Sequence, residues 1–297
     1  MYDVSIIIVN YNTYGLVLQC IESVIKNTSG IRYEIIVVDN NSPNREIENL
    51  NKVFPQVKLI LNNDNSGFGI ANNIGNKVAN GKFIFLLNSD TIVIDNSIYE
   101  LYKFMSENPH VGACGGNLYD EKFKPATSFT RFMPSLISDL DSLFFNIISK
   151  VLYNGDIFHS SSNKPFKIFG NISGANLMIP KLFFDEIKGF DENYFMYYEE
   201  TDLLFRLRKQ GYTTYIVPSS KIIHLEGASE SFKPNKWDWS FESKRKYYLK
   251  NKSNFEFTIS SFIFMVMIIQ RIVIFKITKN DEKLTYWSSL LRWFKSK

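Results

Sequence analysis

Residues 4–9 read VSIIIV, and the run passes directly into Asn10-Tyr11-Asn12. The stretch does not alternate and is rich in β-branched side chains. That is the pattern of a strand covered on both faces, not of one with a face turned to water. Similar runs recur at 34–38 (EIIVV), 57–61 (VKLIL), 82–87 (KFIFLL) and 111–118. Helix signals lie between and beyond them, at 16–25, 45–54, 69–79 and 97–107. Repeated βα units of this length predict an α/β fold with a doubly wound, mostly parallel sheet. Ligands of such sheets gather at the carboxyl ends of the strands.

The alternation breaks between 125 and 169. Residues 134–153 predict one apolar-faced helix, followed by a polar loop rich in Ser and Asn. The pattern resumes with an apolar run at 172–179, a helix over 199–210, and two short strands at 213–217 and 222–224. After about Gly227 the chain turns basic and aromatic, and 257–275 is strongly apolar. The expected organisation is a domain over 1–227, with an insertion at about 125–169, and a helical extension over 228–297.

The bulk numbers agree with one large domain and an appendage: 297 residues, 45% hydrophobic, 22% charged. A net charge of +4 is too small to argue for nucleic acid, but it favours diphosphates and anionic lipid. Cys20 and Cys114 have neither metal spacing nor a disulfide pattern, which points to a reducing compartment. No basic segment precedes the first strand, so no signal peptide is expected.

Four polar clusters follow apolar runs: Asn10-Tyr11-Asn12, Asp39-Asn40-Asn41-Ser42, Asn88-Ser89-Asp90 and Glu199-Glu200-Thr201-Asp202. One such cluster is an ordinary turn or cap. Four in these places mark a site. The first strand leads into VNYNTYG, with no glycine-rich phosphate loop, and no P-loop is present elsewhere. A nucleotide must therefore be held by side chains and a metal.

The stretches SIIIVNYN, VVDNNS, NNDNSGFGIANNIG, LLNSDT, ISGANLMIP and GFDENYFMYYEETDLLFRLRKQGY resemble the family 2 glycosyltransferases of the GT-A fold, in its rhamnosyltransferase-like branch. The resemblance covers roughly residues 3–227 and continues weakly through 244–251. It implies a nucleotide diphosphate sugar as donor and a glycan or lipid-linked oligosaccharide as acceptor. Tyr11 would stack on the donor's base, flanked by Asn10 and Asn12, and Asp39 would accept the base's N3–H, with Asn41 nearby. Asp90 would hold Mg²⁺ or Mn²⁺ across the diphosphate, with His224 as a late metal ligand. The family's first acidic position in this turn is Asn88 here, which removes one negative charge.

Glu200 would be the general base, with Glu199 as the alternative because the acidic pair opens the helix in either register; Asp202 divides between support and helix capping. Asn65, Gly67, Phe68, Asn72 and Asn73 would contact donor base or sugar, although Gly67 and Gly69 also read simply as a tight turn. Gly174 and Asn176 would line the sugar pocket. A nucleotidyltransferase making nucleotide sugars and an inactive nucleotide-sugar-binding module are the competing readings. The first lacks its glycine-rich basic loop, and the second is disfavoured by Asp39, Asp90 and Glu200 together.

Residues 257–270 are uncharged, and Arg271 interrupts the run before 272–275. Spanning a bilayer needs about 20 apolar residues. Spanning, lying in the interface and packing on protein therefore all stay open. The expected location is cytoplasmic, peripheral to the inner face of the cell membrane. A homodimer is compatible with the sequence.

Overall fold

The structure is a computed structural model describing residues 2–225 and 236–296. The opening run forms β1 (Tyr2–Asn10), with Val4, Ile6, Ile7 and Ile8 fully buried. Val4, Ile6 and Ile8 enter one hydrophobic cluster and Ile7 the other, so β1 is covered on both faces. It pairs in parallel with β2 (Tyr33–Asp39) and with β4 (Gly81–Asn88), and β2 pairs in parallel with β3 (Lys58–Leu61). The registers set Asn10 beside Asp39 and Val9 beside Asn88, which brings three of the polar clusters to one end of the sheet.

Beyond β4 the sheet is mixed. β8 (Asn176–Pro180) runs antiparallel to β4 and to β6 (Val111–Tyr119). β9 (Thr213–His224) is parallel to β6, and the short β5 (Thr91–Ile94) and β7 (Phe166–Ile168) are antiparallel to β9. The order is β3-β2-β1-β4-β8-β6-β9-β5, with β7 attached to β9. The two strands expected at 213–217 and 222–224 are the one strand β9. Its residues 217–220 bulge opposite Gly116, and the register with β6 shifts there.

Helices α1 (Tyr14–Asn27) and α4 (Ser97–Glu107) cover one face through Val17, Ile21, Ile98 and Leu101. α3 (Phe68–Val78), α7 (Lys181–Glu186) and α8 (Glu199–Lys209) cover the other through Ala71, Phe184, Leu203 and Leu207. The helix expected at 45–54 is a 3₁₀ turn, Glu46–Asn49, followed by the short α2 (Leu50–Val53), with Arg45 in left-handed backbone ahead of it. α1 also closes the edge of β5. The Val93 N–H donates to Ser23 Oγ at 2.9 Å, and Asn27 Nδ2 donates to the Val93 carbonyl at 2.8 Å. A bare strand edge is a liability that such contacts remove.

Residues 132–157 group with the chain after 235 as a second compact unit, where the sequence suggested an insertion into the sheet domain. The expected boundary at 227 falls within 226–235, outside the described residues. The single helix expected over 134–153 is two, α5 (Leu136–Leu143) and α6 (Ile147–Leu152). Phe145 and Asn146 both take left-handed backbone between them, and Asp141 accepts from the Ile148 N–H at 2.9 Å and from the Ser149 hydroxyl. The start of a new helix is thus capped where the old one ends. α9 (Lys236–Asn251), α10 (Asn254–Ile277) and α11 (Asp281–Lys295) complete the unit.

Candidate functional site

At the carboxyl ends of β1 and β2, Asn10 and Asp39 form a buried pair. Asn10 Nδ2 donates to Asp39 Oδ1 at 2.6 Å and to Ser42 Oγ at 3.1 Å. Ser42 returns two bonds to Asp39, from its N–H at 2.9 Å and its hydroxyl at 2.5 Å. Among the described residues no Lys, Arg or His pairs with Asp39, so its carboxylate is held by neutral donors alone. Tyr11 lies beside this pair with its ring 45% exposed, and Asn12 adopts left-handed backbone with its N–H on Ser42 Oγ at 2.7 Å. The Asn12 side-chain oxygen is buried with no hydrogen-bond partner. An orphaned buried acceptor costs about 1–3 kcal/mol unless a ligand supplies a donor.

A hydrogen-bonded path leads from this pair to the turn after β4. Thr13 Oγ1 donates to Asn10 Oδ1 at 2.8 Å and meets Ser89 Oγ at 3.1 Å. The direction follows by counting protons. Asp39 accepts from Asn10 Nδ2, so Asn10 Oδ1 is the acceptor for Thr13, whose one proton is then committed. Ser89 must therefore donate to Thr13. Thr13 stands at the N-cap of α1 yet makes no side-chain cap bond; its hydroxyl serves the strand ends instead of the helix.

The turn itself presents Asp90 to the end of β9. The β5–β9 register sets Thr91 opposite His224, and His224 Nε2 lies 3.2 Å from Asp90 Oδ1 and 3.5 Å from Asn88 Nδ2. One ring nitrogen cannot donate to the carboxylate and accept from the amide at once. A divalent cation held by Asp90 and His224 would remove that conflict, and a carboxylate with an imidazole fits Mn²⁺ better than Mg²⁺, which prefers oxygen ligands alone. Among the described residues no group of three His, Cys, Asp or Glu side chains converges. Asp90 and His224 are thus two side chains close enough to share one cation. Beneath the turn, Cys20 Sγ meets Thr91 Oγ1 at 3.5 Å. Burial pushes this thiol up to about 12, against the Thr91 hydrogen bond, with the Asp90 charge adding to the rise.

The fourth cluster opens α8. Tyr197 and Tyr198 both take left-handed backbone just ahead of it, an arrangement that costs on the order of 1–3 kcal/mol per residue and marks a constrained site. Gly67 is required here. It has φ +85°, and a Cβ would come within 2.2 Å of the Phe195 carbonyl. Glu200 accepts from Asn171 Nδ2 at 3.0 Å. Burial raises its carboxyl above the ordinary range, opposed by its own N–H, Asn171 and the Thr201 N–H. Asn171 keeps its side-chain oxygen buried without a partner. A Cβ on Gly174 would stand 3.8 Å from the Glu200 side chain and 3.6 Å from Phe68, and the Asn88 N–H donates to the Ala175 carbonyl at 3.1 Å. Residues 174–175 therefore join the Glu200 helix to the Asp90 turn.

Not every expected residue is free to meet a ligand. Asn10 is fully buried with both ends of its amide engaged. Asn72 is 1% exposed and donates back to the Phe68 carbonyl within its own helix. Asn176 spends its oxygen on the Gly116 N–H at 2.7 Å, and Asn73 brackets the backbone of Phe190. In this structure these amides fasten the fold. Asn41 reaches the Asn63 carbonyl from an exposed position, and Asn65 accepts from the Gly67 N–H. Asp202 is fully buried and binds Arg206 Nε at 2.7 Å, while Arg206 also holds the Ile187 and Gly189 carbonyls. Asp202 is thus a brace for α8. Asn171 and Thr13 escaped the sequence reading, and Ser42 stood in it only as a member of a cluster. The N-x-x-T spacing from Asn10 to Thr13 was a visible signal for one of them; nothing in sequence pointed to Asn171.

The sequence model of glycosyl transferase family 2 matches residues 5–174. The chain is 26% identical over 212 residues to N-acetylglucosaminyl-diphospho-decaprenol L-rhamnosyltransferase of Mycobacterium tuberculosis, covering 67% of this chain and 69% of that protein. It is 24% identical over 271 residues to the rhamnosyltransferase WbbL of Escherichia coli, covering 88% and 99% respectively. Among solved structures, the fold is similar to GalNAc-T7 crystallised with UDP, GalNAc and Mn²⁺. That match has a TM-score of 0.60 and 18% identity, and covers 84% of this chain and 48% of that one.

Proposed function

The chain belongs to glycosyl transferase family 2, and we propose that it performs an inverting transfer of a sugar, rhamnose first among the candidates, from a nucleoside diphosphate to a hydroxyl of a glycan or lipid-linked acceptor. The observation that carries this reading is Glu200: a partly buried carboxylate, its pKa raised, one oxygen fixed by Asn171, set against the small Gly174. A base whose pKa is lifted toward neutrality is better matched to deprotonating a hydroxyl than an ordinary surface carboxylate.

In this reading Tyr11 stacks on the base and Asp39 accepts its N–H, since the carboxylate is positioned by neutral donors alone among the described residues. Asp90 and His224 would hold the cation. When bound, that cation offsets the charge that develops on the leaving diphosphate. Glu200 takes the acceptor proton while the acceptor oxygen displaces the diphosphate at the anomeric carbon. The reaction is a single displacement and needs no covalent intermediate. The Mn²⁺ in the similar GalNAc-T7 structure and the rhamnosyl transfer named for both relatives support the choice of cation and sugar.

We place the reaction at the cytoplasmic membrane face. Residues 236–297 hold thirteen Lys and Arg against five Asp and Glu, and the same unit exposes large apolar side chains. A thermal-shift panel of thymidine and uridine diphosphate sugars with and without Mn²⁺ tests the donor. Binding raises stability as RT ln(1 + [L]/Kd), so thymidine diphosphate rhamnose with Mn²⁺ should give the largest rise. No rise with any nucleotide sugar overturns the reading.

A further inference from the structure

Among the described residues, α10 alone is long and apolar enough to cross a bilayer, at 24 residues with a mean hydropathy of 2.1 over its most apolar 18. Its two faces differ. Phe255, Phe262, Ile269, Val273 and Ile277 are 45–75% exposed. They recur at intervals of seven, seven, four and four, one stripe of a helix. The opposite face, Ser260, Ile263, Ile268 and Arg271, is buried.

What buries that face decides how α10 meets lipid. Ser260 Oγ donates to Asp139 of α5, which also takes Lys244 Nζ at 3.1 Å and the Tyr248 hydroxyl at 2.9 Å. Arg271 donates to the Ser142 carbonyl at 2.8 Å and stacks its guanidinium 3.5 Å over the Phe145 ring. The two ties hold α10 in its N-terminal half, at Ser260, and in its C-terminal half, at Arg271, to α5 and the turn after it, and α5 at eight residues cannot span. α5 ends in a left-handed break at Phe145 and Asn146. Irregular backbone and an ion pair at hydrocarbon depth leave polar groups that lipid cannot satisfy.

We infer that α10 does not cross the membrane but lies in the plane of an anionic lipid leaflet, its exposed stripe inserted and its buried face braced on α5 through Asp139 and Arg271. This rests on the membrane location proposed above. The occupant is a lipid surface and not a second copy of the chain, because the unit that carries the stripe also carries the excess of Lys and Arg, which attracts anionic headgroups and repels itself.

The test uses the full chain bound to the outside of preformed vesicles of phosphatidylcholine and phosphatidylglycerol (3:1). Lys252→Cys and Glu282→Cys place one reactive thiol before or after α10 at exposed positions. The native Cys20 and Cys114 are buried with their pKa values raised, so they stay silent. An impermeant maleimide added outside should label both sites fully. Phe262→Ser with Ile269→Ser should lower co-sedimentation about 10-fold or more while the melting temperature holds. Protection of one of the two sites until detergent is added overturns the in-plane geometry and leaves the membrane location standing. Co-sedimentation undiminished in the double variant overturns the stripe. A wild-type protein that stays in the supernatant, as monomer or dimer, overturns the membrane location and this inference with it.

Discussion

Asp39 in the sheet unit and Asp139 in the helical unit each accept three hydrogen bonds on the carboxylate, but from different kinds of partner. Asp139 receives a lysine and two hydroxyls from helices far away in sequence, and its charge is offset on the spot. Asp39 receives an amide, a hydroxyl and a backbone N–H, and its charge is not offset. Asn12, whose N–H bonds the same Ser42, carries a buried acceptor without a partner, as does Asn171 beside Glu200. A completed ion pair is what a structural brace requires. A carboxylate positioned by neutral donors, with orphaned acceptors around it, is a site prepared for a ligand.

The contrast can be broken by mutation. Asp90→Ala should reduce transfer to background and abolish the Mn²⁺-dependent part of donor binding while the fold persists, because the loss is of charge stabilisation and not of packing. Calorimetry of uridine and thymidine diphosphate with and without Mn²⁺, beside a thermal melt, checks this. Asp139→Asn should act in the opposite sense. It leaves Lys244 without its counter-charge and should destabilise the helical unit by about 2–3 kcal/mol, somewhat below the value for a fully buried pair because both side chains keep some exposure. Donor affinity should hold; a fall in affinity without a fall in stability would mean that Asp139 is no mere brace.

Asp39→Asn should weaken donor binding by about 10- to 100-fold, the worth of one hydrogen bond to a charged acceptor, with a smaller effect on stability. Thr13→Val is expected to be the mildest change, a few-fold loss in kcat/KM from leaving Ser89 and Asn10 without their bridge, restored by Thr13→Ser. If Thr13→Val lowers the melting temperature alone, the hydroxyl serves α1 and not the strand ends.

Much of this was legible in the sequence, and the limits are physical. Unbroken apolar runs located β1, β2 and β4 because a strand covered on both faces has no other pattern. The direction of β8 was not legible, since periodicity carries no sign along the strand. β5 and β7, at four and three residues, are too short to show a period. The break at Phe145 and Asn146 carries no glycine or proline to announce it. In the site, Asp39, Asp90, Glu200 and His224 stood out because acids and a histidine after apolar runs are conspicuous. The asparagines were harder. Asn10, Asn72 and Asn176 have the same chemistry whether they bind a ligand or the backbone, and only the fold shows which carbonyl or N–H lies within reach.

The central claim is that Glu200 is the base, and its pH–rate profile with that of Glu200→Gln tests it most directly. Because burial raises the folded-state pKa of Glu200, the carboxyl is protonated and inactive below that value. The acid limb of kcat/KM should therefore lie above the ordinary glutamate value of about 4.3. Glu200→Gln should erase that limb, leave donor affinity nearly unchanged and lower the transfer rate by roughly 10²–10⁴. Glu199→Gln should have little effect on either quantity. The opposite pattern, with the large loss and the vanished limb in Glu199→Gln and a near-normal Glu200→Gln, would contradict the account.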